Sequence, residues 1–145
     1  MPNFAEQVVK RLEDQGIKRI YGLVGDSLNP LSDAVRQSDI EWVHVRNEEA
    51  AAFAAGADSL AADELAVCGA SCGPGNTHFV QGLYESHRNG AKVLAIASHI
   101  PTMEIGSSFF QETHPELLFQ ECSSYCEVVH EADQGMRVLH NALQN

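Results

Sequence analysis

Short apolar segments alternate with longer amphipathic segments along most of this chain. Residues 20–24, 41–45, 65–69 and 92–97 have the length and apolar content of buried strands, and segments with helical spacing of apolar residues lie between them. Strands that alternate with helices form βαβ units, and such units build a parallel sheet with helices on both faces. The sequence therefore predicts an α/β fold with an open parallel sheet.

The remaining elements follow from the same periodicity. The opening helix is predicted over residues 4–12, with Asn3 as its N-cap and Gly16 as its stop. Residues 98–121 have no regular pattern, whereas residues 125–129 alternate like a fifth strand. Further helices are predicted over residues 28–35, 48–62, 76–87 and 133–143.

Charge and hydropathy argue against several classes of protein. Nine Lys and Arg against twenty Asp and Glu give a formal charge of −11, whereas nucleic-acid binding needs a basic face. Apolar residues make up 44% of the chain, which is too much for a disordered protein. The apolar stretch 93–100 is too short to cross a bilayer, and the charged first fifteen residues do not resemble a signal peptide. We therefore expect a cytoplasmic globular domain with reduced cysteines and no nucleic-acid partner.

The carboxyl ends of the predicted strands define the expected functional edge. In open parallel sheets, ligands bind outside these ends. The rule brings residues 25–27, 47–49, 71–76 and 98–99 to one edge. We expect the functional side chains to be among them.

Glu48 stands where the second strand passes into an alanine-rich helix. As a structural residue, it would complement the positive end of the helix dipole. As a functional residue, it would be a carboxylate in an apolar cleft, able to share or relay a proton. Glu49 is expected to be the solvated acid of the pair, because consecutive helical residues point in different directions. Both interpretations of Glu48 stay open at this point.

A Gly-Pro-Gly-Asn segment at 73–76 follows the third strand. Such a turn lets the backbone approach a ligand closely, but it is also a common tight turn. The segment is not a dinucleotide-binding fingerprint, because His78 stands where the third glycine would be. His78 and His99 lie near the expected edge and are candidates for ligand contact.

The four cysteines form two pairs, Cys68 with Cys72 and Cys122 with Cys126. A zinc site usually has two residues between paired cysteines, whereas three residues separate these. Buried small thiols are therefore the favoured interpretation, and no metal ligand is expected in this chain. The adjacent aromatic residues at 109–110 are expected to anchor their loop to the core.

Four motifs occur together and in order: YGLVGDSLN at 21–29, RNEEAAAFAAG at 46–56, GPGN at 73–76 and FQETHP at 110–115. The combination resembles the N-terminal pyrimidine-binding domain of thiamine-diphosphate-dependent 2-oxo acid enzymes. Within that family, the cysteine-bearing segments at 66–76 and 120–128 are most similar to bacterial pyruvate:quinone oxidoreductases, also called pyruvate oxidase or pyruvate dehydrogenase (quinone).

The resemblance implies a role for each candidate residue. Glu48 would be the catalytic glutamate, which hydrogen-bonds the pyrimidine ring of the cofactor and supports its proton transfer. The other implied positions are Gly25, Pro74 and Asn76 around the pyrimidine ring, and Phe110 and Gln111 along the substrate cleft.

The resemblance also implies the wider reaction. Pyruvate would be oxidatively decarboxylated to acetate and carbon dioxide, with electrons passing to FAD and then to a quinone. The full-length enzyme would bind thiamine diphosphate, Mg²⁺ and FAD, with the Mg²⁺ ligands and most FAD contacts outside this chain. It would be a homo-oligomer, a tetramer by resemblance, in the cytoplasm with a peripheral position at the inner face of the membrane.

Two features depart from the family pattern. Asn47 stands where the family usually has a histidine before the glutamate. The chain is also several-fold shorter than family members. Residues 1–145 are therefore expected to be the pyrimidine-binding domain, truncated before its sixth strand, without the FAD-associated and diphosphate-binding domains. The isolated chain is expected to be inactive.

Other functions use the same residues. A related carboligase such as acetolactate synthase, or an oxygen-dependent pyruvate oxidase, would share the domain. A stand-alone binding module would keep the fold and lose the chemistry. Glu48 and the Gly-Pro-Gly turn favour an enzyme, whereas the short length favours a binding module.

Overall fold

A parallel sheet forms the centre of residues 2–145, the part of the chain that this computed structural model describes. Residue 1 of the expected domain lies outside the described residues. Within them, all strand pairs are parallel and the strand order is β2-β1-β3-β4, so the predicted open parallel sheet is confirmed. The strands are β1 (Arg19–Gly22), β2 (Glu41–His44), β3 (Ala66–Ala70) and β4 (Val93–Ala97).

Helices connect the strands and follow the last one. Asn3 caps the first helix as predicted, because its side chain accepts from the Glu6 amide while the Glu6 carboxylate accepts from the Asn3 amide. No helix within residues 2–145 combines the length and apolar character needed to cross a bilayer. The helices are α1 (Phe4–Asp14), α2 (Asn29–Arg36), α3 (Glu48–Ala62), α4 (Pro74–Asn89), α5 (Pro115–Leu118) and α6 (Ala132–Ala142).

The helices cover both faces of the sheet. On one face, α1 and α2 pack against Ile20 and Val67, and Leu139 of α6 joins the same core. On the other face, α3 and α4 pack against Cys68 in a second core. Val67 and Cys68 enter different cores because successive strand residues point to opposite faces. All of β3 is buried, as is typical of a central strand in an α/β fold.

The start of α4 differs from the sequence prediction. The helix begins at Pro74, two residues before the predicted start at Asn76. The fixed backbone angle of proline suits the first helical position, where no intrahelical N–H bond is needed. Gly73 precedes it with a φ of 67°, a conformation that favours glycine. Pro74 and Gly75 therefore belong to the first turn of the helix.

The predicted fifth strand at residues 125–129 is wrong. Within the described residues this segment has no strand partner, and β4 pairs only with β3. The Val128 carbonyl instead accepts from Gln134 Nε2 at 3.1 Å, and Cys126 packs against the second core. The alternation that imitated a strand therefore arises from an irregular segment with one side against the core.

Candidate functional site

Three strand ends meet through serine hydroxyls at the carboxyl edge of the sheet. Ser27, which follows β1, has its Oγ 2.9 Å from Ser71 Oγ and 2.6 Å from Ser98 Oγ. Ser71 follows β3 and Ser98 follows β4. The edge that the sequence predicted is therefore a connected set of side chains, here named the serine cluster.

The direction of each hydrogen bond in the serine cluster follows by elimination. Ser98 Oγ donates to the carbonyl oxygen of Ala70 at 2.8 Å, so its single proton is used there. Ser27 must then donate to Ser98, and Ser71 must donate to Ser27. The Cys72 amide also donates to Ser27 Oγ, at 3.0 Å. Ser71 Oγ consequently keeps lone pairs that can accept a hydrogen bond.

Glu48 is the first residue of α3 and is only 6% exposed. One carboxylate oxygen, Oε2, lies 2.9 Å from His78 Nδ1. The other, Oε1, lies 3.1 Å from the position that a Cβ atom would occupy on Gly75. The position of Glu48 at the start of α3 places the carboxyl group at the positive end of the helix dipole. Glu48 is thus a buried acid with one oxygen bonded and the other beside a glycine.

Asn47 holds the start of α3 in place. Its side-chain oxygen accepts from the Glu49 amide at 2.8 Å, which satisfies an otherwise unbonded donor of the first helical turn. Asparagine is among the best N-cap residues, so Asn47 has a structural role immediately before Glu48.

We expect Asn47→Ala to lower the free energy of unfolding by about 1 kcal/mol, because the Glu49 amide loses its acceptor. Urea unfolding of the variant and the wild type would measure this difference. Asn47→Ser is the matched control, since serine also caps helices, and it should keep most of the stability. Equal losses in the two variants would contradict the capping role.

Asn76 follows Gly75 on α4 and is fully buried. Its Nδ2 donates to the Ser98 carbonyl at 2.9 Å, whereas Oδ1 has no hydrogen-bond partner among the described residues. A buried acceptor without a partner costs about 1–3 kcal/mol. The site is therefore suited to a group that donates an N–H or O–H bond.

Two glycines make room at the same place. A Cβ atom on Gly25 would lie 2.6 Å from Ser71 Cβ, and one on Gly75 would lie 3.6 Å from the same atom. Ser71 thus lies between Gly25 and Gly75, and Gly75 borders Glu48. A side chain at Gly75 would fill the space next to the acid, and one at Gly25 would collide with Ser71.

The two predicted cleft residues have different positions. Gln111 has a φ of 64°, and its Cβ lies 2.6 Å from where a Cβ of Gly73 would be, so it covers the approach to α4. Phe110 is 79% exposed and Phe109 is 40% exposed. The prediction that this aromatic pair anchors the loop is wrong, because the loop is held instead by Glu112, which accepts from the Gly106 amide.

The cysteines are free thiols. Burial raises the pKa of Cys68 to about 12, and burial also raises the pKa of Cys122 and Cys126. A high pKa keeps a thiol protonated and unreactive at neutral pH. The interpretation as buried small thiols is confirmed for Cys68, Cys72 and Cys122, while Cys126 is half-buried.

Sequence reasoning missed the pairing of Glu48 with His78 and the serine cluster. The sequence signal that could have indicated these contacts is the position of the residues relative to the strand ends. Helices that follow strands of one parallel sheet begin at the same sheet edge even when the strands are not adjacent, so polar residues of their first two turns are brought towards one another. His78 lies in the second turn of α4, and Glu48 begins α3.

Known proteins match this chain along most of its length. The family model described as "Thiamine pyrophosphate enzyme, N-terminal TPP binding domain" matches residues 2–120. An uncharacterized 42.6 kDa protein of Pseudomonas amyloderamosa is 56% identical over 97% of this chain and 36% of its own length. A probable acetolactate synthase large subunit of Methanocaldococcus jannaschii is 36% identical over 83% of this chain and 20% of its own. Pyruvate oxidase of Lactiplantibacillus plantarum is 34% identical over 81% of this chain and 20% of its own.

The chain spans 36% or less of the length of these relatives. The site residues Glu48, Gly75 and Asn76 lie inside the matched region. Thiamine pyrophosphate is another name for thiamine diphosphate, the cofactor that the sequence motifs indicate. By this match, the chain belongs to the thiamine pyrophosphate enzyme family and corresponds to its N-terminal cofactor-binding domain.

Proposed function

We propose that this chain is the pyrimidine-binding domain of an enzyme that converts pyruvate, water and a quinone into acetate, carbon dioxide and a quinol. Thiamine diphosphate and FAD would be its cofactors. The observation that carries the proposal is Glu48, a buried carboxylate at the first position of α3 with one oxygen beside Gly75. No buried acid is needed there for packing, whereas a thiamine enzyme needs one to exchange a proton with the cofactor.

The residues present fit the polar edge of an aminopyrimidine, which has ring-nitrogen acceptors and an amino donor. Glu48 would hold a proton at the oxygen beside Gly75 and share it with a ring nitrogen. The unpaired Asn76 Oδ1 and the Ser71 Oγ lone pairs are acceptors for donor groups. When bound, thiamine diphosphate would supply the electron sink for decarboxylation. Gly25 and Pro74 would border the ring.

The substrate side would be formed by the loop after β4. Gln111 lies close to Gly73 and would offer its amide to the carboxylate or ketone of pyruvate. Phe110 is exposed and would provide an apolar wall. Mg²⁺, FAD and the diphosphate would be bound by other domains of the enzyme. We propose that the enzyme is a homo-oligomer located in the cytoplasm and peripherally at the membrane.

A carboligase is the second candidate. The relative named as a probable acetolactate synthase large subunit is about as similar as the one named pyruvate oxidase, at 36% and 34% identity. The resemblance of residues 66–76 and 120–128 to quinone-linked enzymes favours oxidation. The two candidates differ in what accepts the two-carbon fragment, which is water in one and a second pyruvate in the other.

We expect the enzyme that carries this domain to reduce a quinone analogue when given pyruvate, and to release acetate. Product analysis by NMR would measure acetate and acetolactate, and a peroxide assay under air would detect oxygen as the acceptor. The 145-residue chain alone is the control and should give no turnover. Acetolactate as the main product would establish a carboligase. Peroxide formation would establish an oxygen-dependent oxidase. If the cofactor-loaded enzyme gave no turnover, the binding module would be the correct function.

A further inference from the structure

We propose that His78 is a positioning residue for Glu48, and that its imidazole fixes the carboxylate plane so that the oxygen beside Gly75 stays available to a ligand. The proposal deepens the proposed function and rests on it for the identity of the ligand. The contact itself belongs to this chain.

The pair joins two helices that begin at the same edge of the sheet. Glu48 opens α3 and His78 lies in the second turn of α4, with Nδ1 and Oε2 separated by 2.9 Å. The carboxylate is almost fully buried, with its side chain 8% exposed, whereas the imidazole is 49% exposed. The pair therefore joins a buried acid to a ring that solvent can reach.

The two oxygens of Glu48 have different surroundings. Oε2 faces the imidazole, and Oε1 faces the space left by the missing side chain of Gly75. A terminal carboxylate rotates through a broad range of angles unless something restrains it. One short bond to a ring on a neighbouring helix supplies that restraint. This is the same logic by which a third group orients the base in other catalytic sites.

The bond also determines which nitrogen of His78 carries a proton. A carboxylate oxygen accepts, so Nδ1 must donate, and a neutral ring then has its lone pair on Nε2. Within the described residues, Nε2 has no hydrogen-bond partner. Glu48 is consequently the group that selects the Nδ1–H tautomer, and removal of its carboxylate should release the ring.

Imidazole NMR of the 145-residue chain tests the contact without any turnover. We expect ¹⁵N shifts of the neutral His78 ring to report the Nδ1–H tautomer in the wild type, with the signal identified by its loss in His78→Asn. Glu48→Leu should change this tautomer, whereas the matched control Glu49→Leu should leave it unchanged. The proposal would be overturned if the wild-type ring were the Nε2–H tautomer, or if Glu48→Leu left the tautomer of His78 unchanged.

Kinetics of the enzyme that carries this domain test the positioning role. In His78→Asn, the side-chain amide can donate from the place of Nδ1, so turnover and cofactor Kd should stay within about twofold of wild type. His78→Leu removes the donor and should reduce turnover or cofactor affinity about ten- to a hundredfold. His87→Leu, on the same helix and exposed, is the control. If His78→Asn and His78→Leu reduced turnover and cofactor affinity equally, positioning by a hydrogen bond would be refuted.

The NMR and kinetic experiments together distinguish failure of this inference from failure of the proposed function. If the enzyme gives no product from pyruvate, the proposed function fails, and the NMR result still decides the contact. If pyruvate turnover is present and the Leu and Asn variants at position 78 both match wild type, the positioning role fails alone.

Discussion

Glu48→Gln is expected to reduce pyruvate turnover by about 10² to 10⁴, the usual contribution of a positioned acid–base group. Glutamine has the same shape, and its amide oxygen can still accept from His78 Nδ1, so the contact between α3 and α4 is kept. What is lost is an oxygen that can bind and release a proton beside Gly75. The measurement is kcat of the variant enzyme, with its melting temperature recorded in parallel.

The melting temperature distinguishes the two interpretations of Glu48 that the sequence left open. If the acid only complements the α3 dipole, its loss should cost about 0.3–1 kcal/mol of stability and little activity. Glu49→Gln is the matched control, because Glu49 lies in the same first turn and is partly exposed. Its variant should lose similar dipole stabilisation and keep its turnover. A Glu48→Gln enzyme with turnover close to wild type would refute the catalytic role.

The sequence predicted the fold, and the sheet edge at which the candidate residues lie, for one physical reason. The alternation of strands and helices requires a parallel sheet, and a parallel sheet brings all strand ends of one kind to one edge. Position along the chain was therefore enough to place residues 25–27, 47–49, 71–76 and 98–99 together. The serine cluster and the closeness of Gly75 to Glu48 occur at that edge.

The features that the sequence could not predict depend on how helices are rotated about their axes and on which segments pair with one another. Whether Glu48 meets His78 is set by how α3 and α4 are turned about their axes and by side-chain rotamers, which periodicity does not specify. Residues 125–129 have strand-like alternation, yet a strand requires a neighbour with unpaired backbone groups in register. Adjacent aromatic residues do not by themselves show which side of a loop faces the core: Phe109 and Phe110 are exposed, and Glu112 of the same loop accepts from the Gly106 amide.

The closeness of α3 and α4, which determines the distance between Glu48 and His78, depends on small residues between the helices. Ala52 and Gly56 on α3 are buried, as are Gly82 and Ser86 on α4. A Cβ atom on Gly82 would lie 2.5 Å from Ala52 Cβ and 2.8 Å from the Phe53 backbone nitrogen. Backbone atoms at such distances cannot move aside without displacing the helix.

Gly82→Ala is expected to lower the free energy of unfolding by about 3 kcal/mol, because the added methyl group forces α3 and α4 apart. Helix propensity alone predicts the opposite sign, since alanine stabilises a helix interior by about 1 kcal/mol relative to glycine. The sign of the change therefore decides whether close packing dominates, and urea unfolding measures it.

The control is Gly56→Ala in a Ser86→Ala background, where the hydroxyl that would collide with the new methyl is gone. That change should be neutral or stabilising relative to Ser86→Ala alone, and a Gly82→Ala protein more stable than wild type would contradict the packing argument.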